Sequence, residues 1–415
     1  ALGAGRLESG GAGAARPLRA DLVRYLGNKR HLLGEIERAA SGVGFRRGVV
    51  CDLFAGSGRV GRHFRASGSR VRATDLMACS HIFQKVFLEL PGPPAFAMLR
   101  ERIDLPSPVG AERVAAALPA DADRWIPTRR ALAHLEALAP VEGLLTRQYT
   151  PSGASPRMYL TEENAGRADA MLLELRRGLG AGDLTEPEGM LLLAAIIDAV
   201  DRVANISGTY GAFLKKWHSN ALQPLELRLP ATVEGPVGEA NRRDACAWID
   251  EVECDLLYID PPYNQRQYAA NYHLPDLVAR IPFEPDLDAL EDSIYGKTGL
   301  VPWKESASVL CSRRGTECRD AFASILERAR AGAVVISYNE EGIITRDDFE
   351  EMLAAFAGVA RSRLGKVLHE IPYRRFRSDA DGRVSSLGAE RSYRELPGRK
   401  RNEVHEWLFS VARSR

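Results

Sequence analysis

The 415-residue sequence predicts an α/β fold built on a mostly parallel sheet and split by a long helical insertion, and three stretches carry that expectation. Cys254-Asp-Leu-Leu-Tyr-Ile-Asp260 is a nearly continuous apolar run ending on a carboxylate, as expected of a strand buried on both faces of a parallel sheet. Gly48-Val-Val-Cys-Asp-Leu-Phe-Ala-Gly-Ser-Gly58 reads as a second strand running into a glycine-rich turn, and Arg59-Val-Gly-Arg-His-Phe opens a helix. From about residue 81 to 224 the glycine loops stop and helical spacing takes over, as in Ala131-Leu-Ala-His-Leu-Glu-Ala-Leu and Ala168-Asp-Ala-Met-Leu-Leu-Glu-Leu.

The elements follow in order. Residues 1–20, rich in Ala, Gly and Arg, read as a flexible leader. Residues 21–80 hold the first strands of the sheet domain, including Val71-Arg-Ala-Thr-Asp75. Proline and glycine clusters near 91–94 and 151–156 punctuate the insertion (81–224). Thr185-Glu-Pro-Glu188 is a capping box with proline in the first turn, and the run Met190-Leu-Leu-Leu-Ala-Ala-Ile-Ile behind it is too short to span a bilayer. The sheet domain resumes over 225–415. Ala333-Val-Val-Ile-Ser-Tyr338 reads as a strand, Thr345-Arg-Asp-Asp348 caps a helix, and Val404-His-Glu-Trp-Leu-Phe-Ser-Val reads as a terminal strand.

Composition bounds the function. Apolar content of 45% and charged content of 27% are ordinary globular values. Six cysteines without a C-x-x-C pair, and with no secretory signal ahead of them, predict reduced thiols, no zinc framework and a cytoplasmic location. The net charge of +1 conceals two basic segments, 1–47 and 373–402, each with nine Lys/Arg against four Asp/Glu. Tyr373, Phe376 and Tyr393 interleave with the arginines of the second, which suits contact with a phosphate backbone.

Asp260-Pro-Pro-Tyr263 is the densest chemical signal. Ligands of open α/β sheets sit at the carboxyl ends of strands. There the two prolines make a rigid turn whose carbonyl can face a cleft, and Tyr263 offers a flat π-face. These parts suit a planar ring bearing an exocyclic amine. Gly56, Gly58 and Gly61 satisfy G-x-G-x-x-G, and Asp75 lies 17 residues beyond Gly58, near the ~20 expected of a ribose-binding acid. A nicotinamide dehydrogenase shares that fingerprint. Asp52 argues against it, because a carboxylate ahead of the loop repels a pyrophosphate but attracts an ammonium group.

Taken together the motifs resemble the adenine DNA methyltransferases of the Dam type, class alpha, over most of the chain. Arg24-Tyr-Leu-Gly-Asn-Lys-Arg-His-Leu-Leu33 is similar to the family's N-terminal cofactor motif, Asp52-Leu-Phe-Ala-Gly-Ser-Gly58 to its S-adenosylmethionine loop, Ala73-Thr-Asp75 to its ribose acid and Asp260-Pro-Pro-Tyr263 to its catalytic motif, in the class-alpha order. Tyr159-Leu-Thr-Glu-Glu-Asn-Ala165, Ser207-Gly-Thr-Tyr-Gly-Ala-Phe-Leu-Lys-Lys216 and Asn264-Gln-Arg-Gln-Tyr-Ala-Ala-Asn-Tyr-His273 resemble a subgroup found among restriction-system modification enzymes.

The resemblance implies a Rossmann-like methyltransferase sheet whose helical insertion recognises the target, acting on a flipped-out adenine of double-stranded DNA. Asp260 and the Pro261 carbonyl would each accept one hydrogen of the adenine amine, Pro262 would stiffen the turn, and Tyr263 would stack on the base. The cofactor would lie against Tyr25, with Gly27 and Asn28 in its motif and Lys29 at its carboxylate. Asp52 would meet its ammonium, Phe54, Ala55, Gly56 and Gly58 would hold its methionine part, Asp75 its ribose and Asp244 its adenine, with Asp260 also beside it. Arg266, Tyr268 and Tyr272 would close over the flipped base. Lys215, Lys216, Arg374, Arg375 and Arg377 would meet phosphates. His63 and His81 read as structural, and methyl transfer from a sulfonium needs no metal. The implied state is a monomer or weak dimer without membrane contact, with a separately encoded restriction endonuclease as a further partner. RNA adenine methylation and a non-catalytic subunit keeping the fold stand as alternatives. Cytosine-amine methylation would place serine at position 260, and glutamine methylation asparagine.

Overall fold

The apolar runs ending at Asp52, Thr74 and Ile259 lie side by side. The computed structural model describes residue 24 and residues 29–108, 122–374 and 403–414. Strands β1 (Val49–Asp52), β2 (Arg70–Thr74), β3 (Glu239–Asn241), β4 (Glu253–Ile259), β5 (Arg330–Asn339), β6 (Leu368–Arg374) and β7 (Glu403–Ala412) form one sheet in the order β3-β2-β1-β4-β5-β7-β6. Its ladders are parallel from β3 through β5, and β7 runs antiparallel to both β5 and β6.

Helices α1 (Leu33–Gly42), α2 (Arg59–Ala66) and α3 (Ala78–Gln84) alternate with the first strands. α4 (Ala97–Arg102), α5 (Ile126–Glu136), α6 (Leu144–Tyr149), α7 (Glu162–Gly180) and α8 (Glu186–Val203) make up the helical segment. α9 (Ala245–Trp248), α10 (Tyr268–Asn271), α11 (His273–Arg280), α12 (Leu287–Asp292), α13 (Glu317–Arg328) and α14 (Arg346–Ala357) follow.

Both faces of the sheet are covered, which is why β4 is apolar almost throughout. Leu256 and Tyr258 join Val50, Val71 and Val335 in a core closed by α2, α3, α8 and α11. Leu257 and Ile259 face the other way, with Leu53, Val334 and Phe409, against α9, α13 and α14. The helical segment shares the first core with the sheet. α8 is buried on nearly every side, because α3, α7 and α11 all pack on it. Its start is the expected capping box of Thr185 and Glu188, and Thr345 with Asp348 forms a second at α14.

Two strands escape the sequence pattern. β3 has three residues, too few to show a period. β6 contains Pro372, which has no N–H to give a ladder and is tolerated because β6 is an edge. The last α-helix of the segment ends at Val203, and a single 3-10 turn at Ser219–Leu222 follows it. Lys215 and Lys216 lie in the irregular stretch between, exposed, and not at a helix end.

Candidate active site

The sheet order reverses between β1 and β4, with β2 beyond one and β5 beyond the other, and a crevice opens at their carboxyl ends. The chain leaves β1 through a turn in which Gly56 (φ 48°) and Gly58 (φ 73°) take left-handed backbone, which a side chain disfavours. Gly58 caps α2, and a Cβ there would lie 2.8 Å from the Phe87 ring. Asp75, just past β2, braces the turn: Oδ2 accepts from Gly56 N (2.8 Å) and Oδ1 from Met77 N (2.9 Å). Burial raises the Asp75 carboxyl to about 6 against these bonds.

Asp52 ends β1 and is 1% exposed. Its Oδ1 has no hydrogen-bond partner among the described residues, although the residue lines the cavity. Burial first, and the Asp260 and Asp75 charges next, push its carboxyl up to about 8. A buried carboxylate in that condition calls for a cation.

Asp260 follows β4, in register just beyond Asp52. Lys29 Nζ lies 2.9 Å from its Oδ1 and 2.8 Å from Glu406 Oε1, and Ser337 Oγ donates to the same Glu406 oxygen at 2.7 Å. Burial alone would lower the Lys29 pKa, but Asp260 and Glu406 hold it well above the ordinary value. Asp260 keeps 22% of its side chain open, and burial still raises it to about 6, with Lys29 opposing and Glu406 assisting.

Pro261, Pro262 and Tyr263 continue the cavity wall. The Tyr263 ring meets Tyr338 edge-on (centroids 6.5 Å, 79°), and the Tyr338 hydroxyl is fixed by the Ile343 and Ile344 N–H groups at 3.0 and 3.1 Å. The Tyr263 carbonyl accepts from Ile343 N at 3.1 Å, so the backbone carrying the ring is tied to the same segment. Opposite, Gln267 donates to Ser308 O (3.1 Å) and accepts from Ser308 N (2.9 Å), joining the loop after the prolines to the segment bearing Ser306, Leu310 and Cys311.

One cavity thus gathers Lys29, Asp52, Phe54, Ala55, Gly56, Asp75, Asp244, Asp260 to Tyr263 and Tyr268 from the expected set. Gly58 shapes the turn from behind and does not line the cavity. Asp244 caps α9, accepting from Cys246 N at 2.8 Å. Two expectations need correcting. Lys29, expected at a cofactor carboxylate, is already shared by Asp260 and Glu406, because a lysine 5% exposed must find its anions inside the protein. Tyr272, expected over a flipped base, is 1% exposed and stacks under Tyr268 (6.0 Å, 22°), so it supports that ring from the core. Arg266 keeps an exposed place on the loop after the prolines, outside the cavity lining. Tyr25, Gly27, Asn28, Arg375 and Arg377 lie outside the described residues, as do 1–23, and only the backbone of Arg374 is described.

Sequence reasoning missed Glu406 and Ser337, which carry no motif, and Arg59, whose place directly after the glycine turn was a usable signal. Arg59 is buried, lines the cavity and is lowered by burial to about 10. Arg24, the first residue of the N-terminal motif, binds the carboxylate of Asp201 on α8 through its backbone N (3.0 Å) and Nε (3.2 Å), which ties that motif to the helical segment.

Residues 25–102 and 153–329 match the family described as D12 class N6 adenine-specific DNA methyltransferase. The chain is 33% identical over 391 residues to type II methyltransferase M.FokI of Planomicrobium okeanokoites, covering 94% of this chain and 52% of that protein. It is 30% identical over 364 residues to type II methyltransferase M.NlaIII of Neisseria lactamica, covering 86% and 93%. With modification methylase StsI of Streptococcus sanguinis the identity is 28% over 395 residues, covering 94% and 52%. The chain therefore spans about half the length of the first and third relatives and nearly all of the second.

Proposed function

The chain belongs to the D12 class N6 adenine-specific DNA methyltransferases, and from that premise we propose that it methylates the exocyclic 6-amino group of a flipped-out adenine at a specific site in double-stranded DNA, with S-adenosylmethionine as donor. The carrying observation is one cavity holding two unlike carboxylates, Asp52 with a buried oxygen that no described residue partners and Asp260 clamped at one oxygen and partly open. The names of the relatives support a modification enzyme of a restriction system, or an orphan of that kind, with a separately encoded endonuclease as partner.

The residues present fit the cofactor. Asp52 Oδ1 is the place for its ammonium, the turn from Phe54 to Gly58 for the methionine part and Asp75 for the ribose. Each Asp75 oxygen takes one backbone N–H and keeps a second lone pair for a hydroxyl. When bound, the cofactor supplies an electrophilic methyl on a sulfonium. The chain supplies position and charge. The adenine amine is a weak nucleophile because its lone pair is delocalised into the ring. Asp260 and the Pro261 carbonyl accept its two hydrogens and draw the nitrogen toward tetrahedral geometry, and Tyr263 presents its face to the base. The proton leaves after transfer, when the nitrogen has become acidic, and passes to the Asp260 carboxylate that already holds it and from there to solvent, so Asp260 need not be a strong base.

Base readout belongs in this proposal to the helical segment 81–224, of which 103–152 lies outside the family match. Phosphate contact belongs to the basic stretch holding Arg374, Arg375 and Arg377. Among the described residues no helix is long and apolar enough to cross a membrane. Incubation with random-sequence DNA and cofactor, followed by mapping of 6-methyladenine at base resolution, tests the reading. A recurrent methylated sequence is expected, and methylation of RNA with none in duplex DNA would overturn it.

Two further results are expected. Cofactor affinity should rise with pH from 6 toward 8, by up to about tenfold per unit. The sign follows from Asp52. Its carboxyl is raised to about 8 in the free protein, so it is protonated below that pH and must lose the proton to meet an ammonium. Calorimetry in two buffers of different ionisation enthalpy reads the released proton, and none would remove Asp52 from that role. Tyr263→Phe should stay active because the stacking face survives. Tyr263→Ala should lose about 1–3 kcal/mol of base binding, read by titration of duplexes carrying a mismatched target adenine. Equal damage from both would assign the role to the hydroxyl.

A further inference from the structure

Glu406 lies on β7, facing Asn339 of β5 and Ile371 of β6 in the ladder register. It is 6% exposed and far in sequence from every motif. Its Oε1 receives both Lys29 Nζ (2.8 Å) and Ser337 Oγ (2.7 Å). On the other side the same ammonium reaches Asp260 Oδ1 at 2.9 Å. Three ionisable groups thus share one largely buried site with a single positive charge among them. A Lys29–Asp260 pair alone would be neutral and electrostatically complete. A second buried carboxylate adds a desolvation cost that packing alone does not require, since an apolar residue could fill the space.

The geometry therefore points to Glu406 as a positioning residue for Asp260. By drawing Lys29 from the far side, it lets the ammonium pin Oδ1 without neutralising the acid, and leaves the second oxygen to accept a hydrogen of the target amine. This rests on the methyl-transfer reading above. Charge-assisted acceptors are stronger than neutral ones, so an undiminished carboxylate is the useful state here. The other groups that act on Asp260 are Asp52 from β1, Tyr258 on β4 and Tyr268 on α10. Burial holds both tyrosine hydroxyls well above their ordinary range. Asp52 is common to all variants and is held constant by saturating cofactor.

Two variants should move the titration of Asp260 in opposite directions. Glu406→Gln keeps the shape and the Ser337 contact but removes the charge that raises Asp260, so the midpoint should fall by about one pH unit. Lys29→Gln leaves two carboxylates without their cation, and the midpoint should rise. The carboxyl carbon shift of labelled aspartate, assigned with Asp260→Asn, reads this without any turnover. Single-turnover methyl transfer to duplex DNA should follow it. Its acidic limb should move down in Glu406→Gln, with a plateau about tenfold lower and the KM values for DNA and cofactor little changed. Glu406→Asp should recover part of the rate. A midpoint that stays put or rises in Glu406→Gln, in an active protein, would overturn the inference alone. A wild-type protein that methylates no duplex would overturn the functional reading and this role with it.

Discussion

Asp260→Ala is expected to slow methyl transfer by about 10²–10³-fold, the scale of losing a partner that acts in the transition state. The fold should survive, because Lys29 keeps its 2.8 Å contact with Glu406 and is not left as an isolated buried cation. Duplex and cofactor binding should also persist. The glycine turn, Asp52 and Asp75 are held by their own backbone bonds rather than by Asp260. Single-turnover rates at saturating DNA and cofactor, with an unfolding midpoint measured alongside, decide the matter. A loss under tenfold would show that the Pro261 carbonyl and stacking suffice. A collapse of stability would show that the acid is structural.

Asp169→Ala is expected to cost about 3–5 kcal/mol of stability, since it strands several buried donors, each worth about 1–3 kcal/mol when unsatisfied. Asp169 belongs to α7, is 3% exposed and serves the start of α6. Its Oδ2 accepts from Gly143 N (3.0 Å), Thr146 N (2.8 Å) and Thr146 Oγ1 (2.7 Å), and Oδ1 accepts from Leu145 N (2.9 Å). Water cannot replace these contacts without opening the packing between the two helices. Asp169→Asn should recover about half of the loss, because one of its two carboxylate acceptors becomes a donor. Urea unfolding followed by circular dichroism reads both. A cost under about 1 kcal/mol for alanine would mean that α6 re-forms its start from other partners.

The expected helix around Ala168 was correct as a helix, yet nothing in its spacing marked Asp169 as the cap of another element. The same division runs through the site. Asp52, the glycine turn, Asp75 and Asp260-Pro-Pro-Tyr263 were legible because each is a local pattern, an apolar run stopped by an acid or a turn that needs φ above zero. Lys29 was found as a motif residue but given the wrong neighbour. Tyr272 looked like a loop aromatic, and the packing of α10 against α11 put it inside. β3 was too short to read, and β6 carries a proline that only its edge position explains.

The sequence by itself determined the alternation of strands and helices, the caps of α8 and α14, the backbone of the glycine turn after β1 and the acid at the end of β4. All of these depend on residues within one turn or one strand of each other. The tertiary structure alone decided which charges share a site. Lys29, Asp260 and Glu406 come from the N-terminal motif, the centre of the sheet and β7, which runs against its neighbours. A buried ion's partner is set by which strand lies beside which, and no local pattern encodes that. It also decided the protonation of Asp52, because a carboxyl's pKa depends on the water and charge that the fold removes from or brings around it.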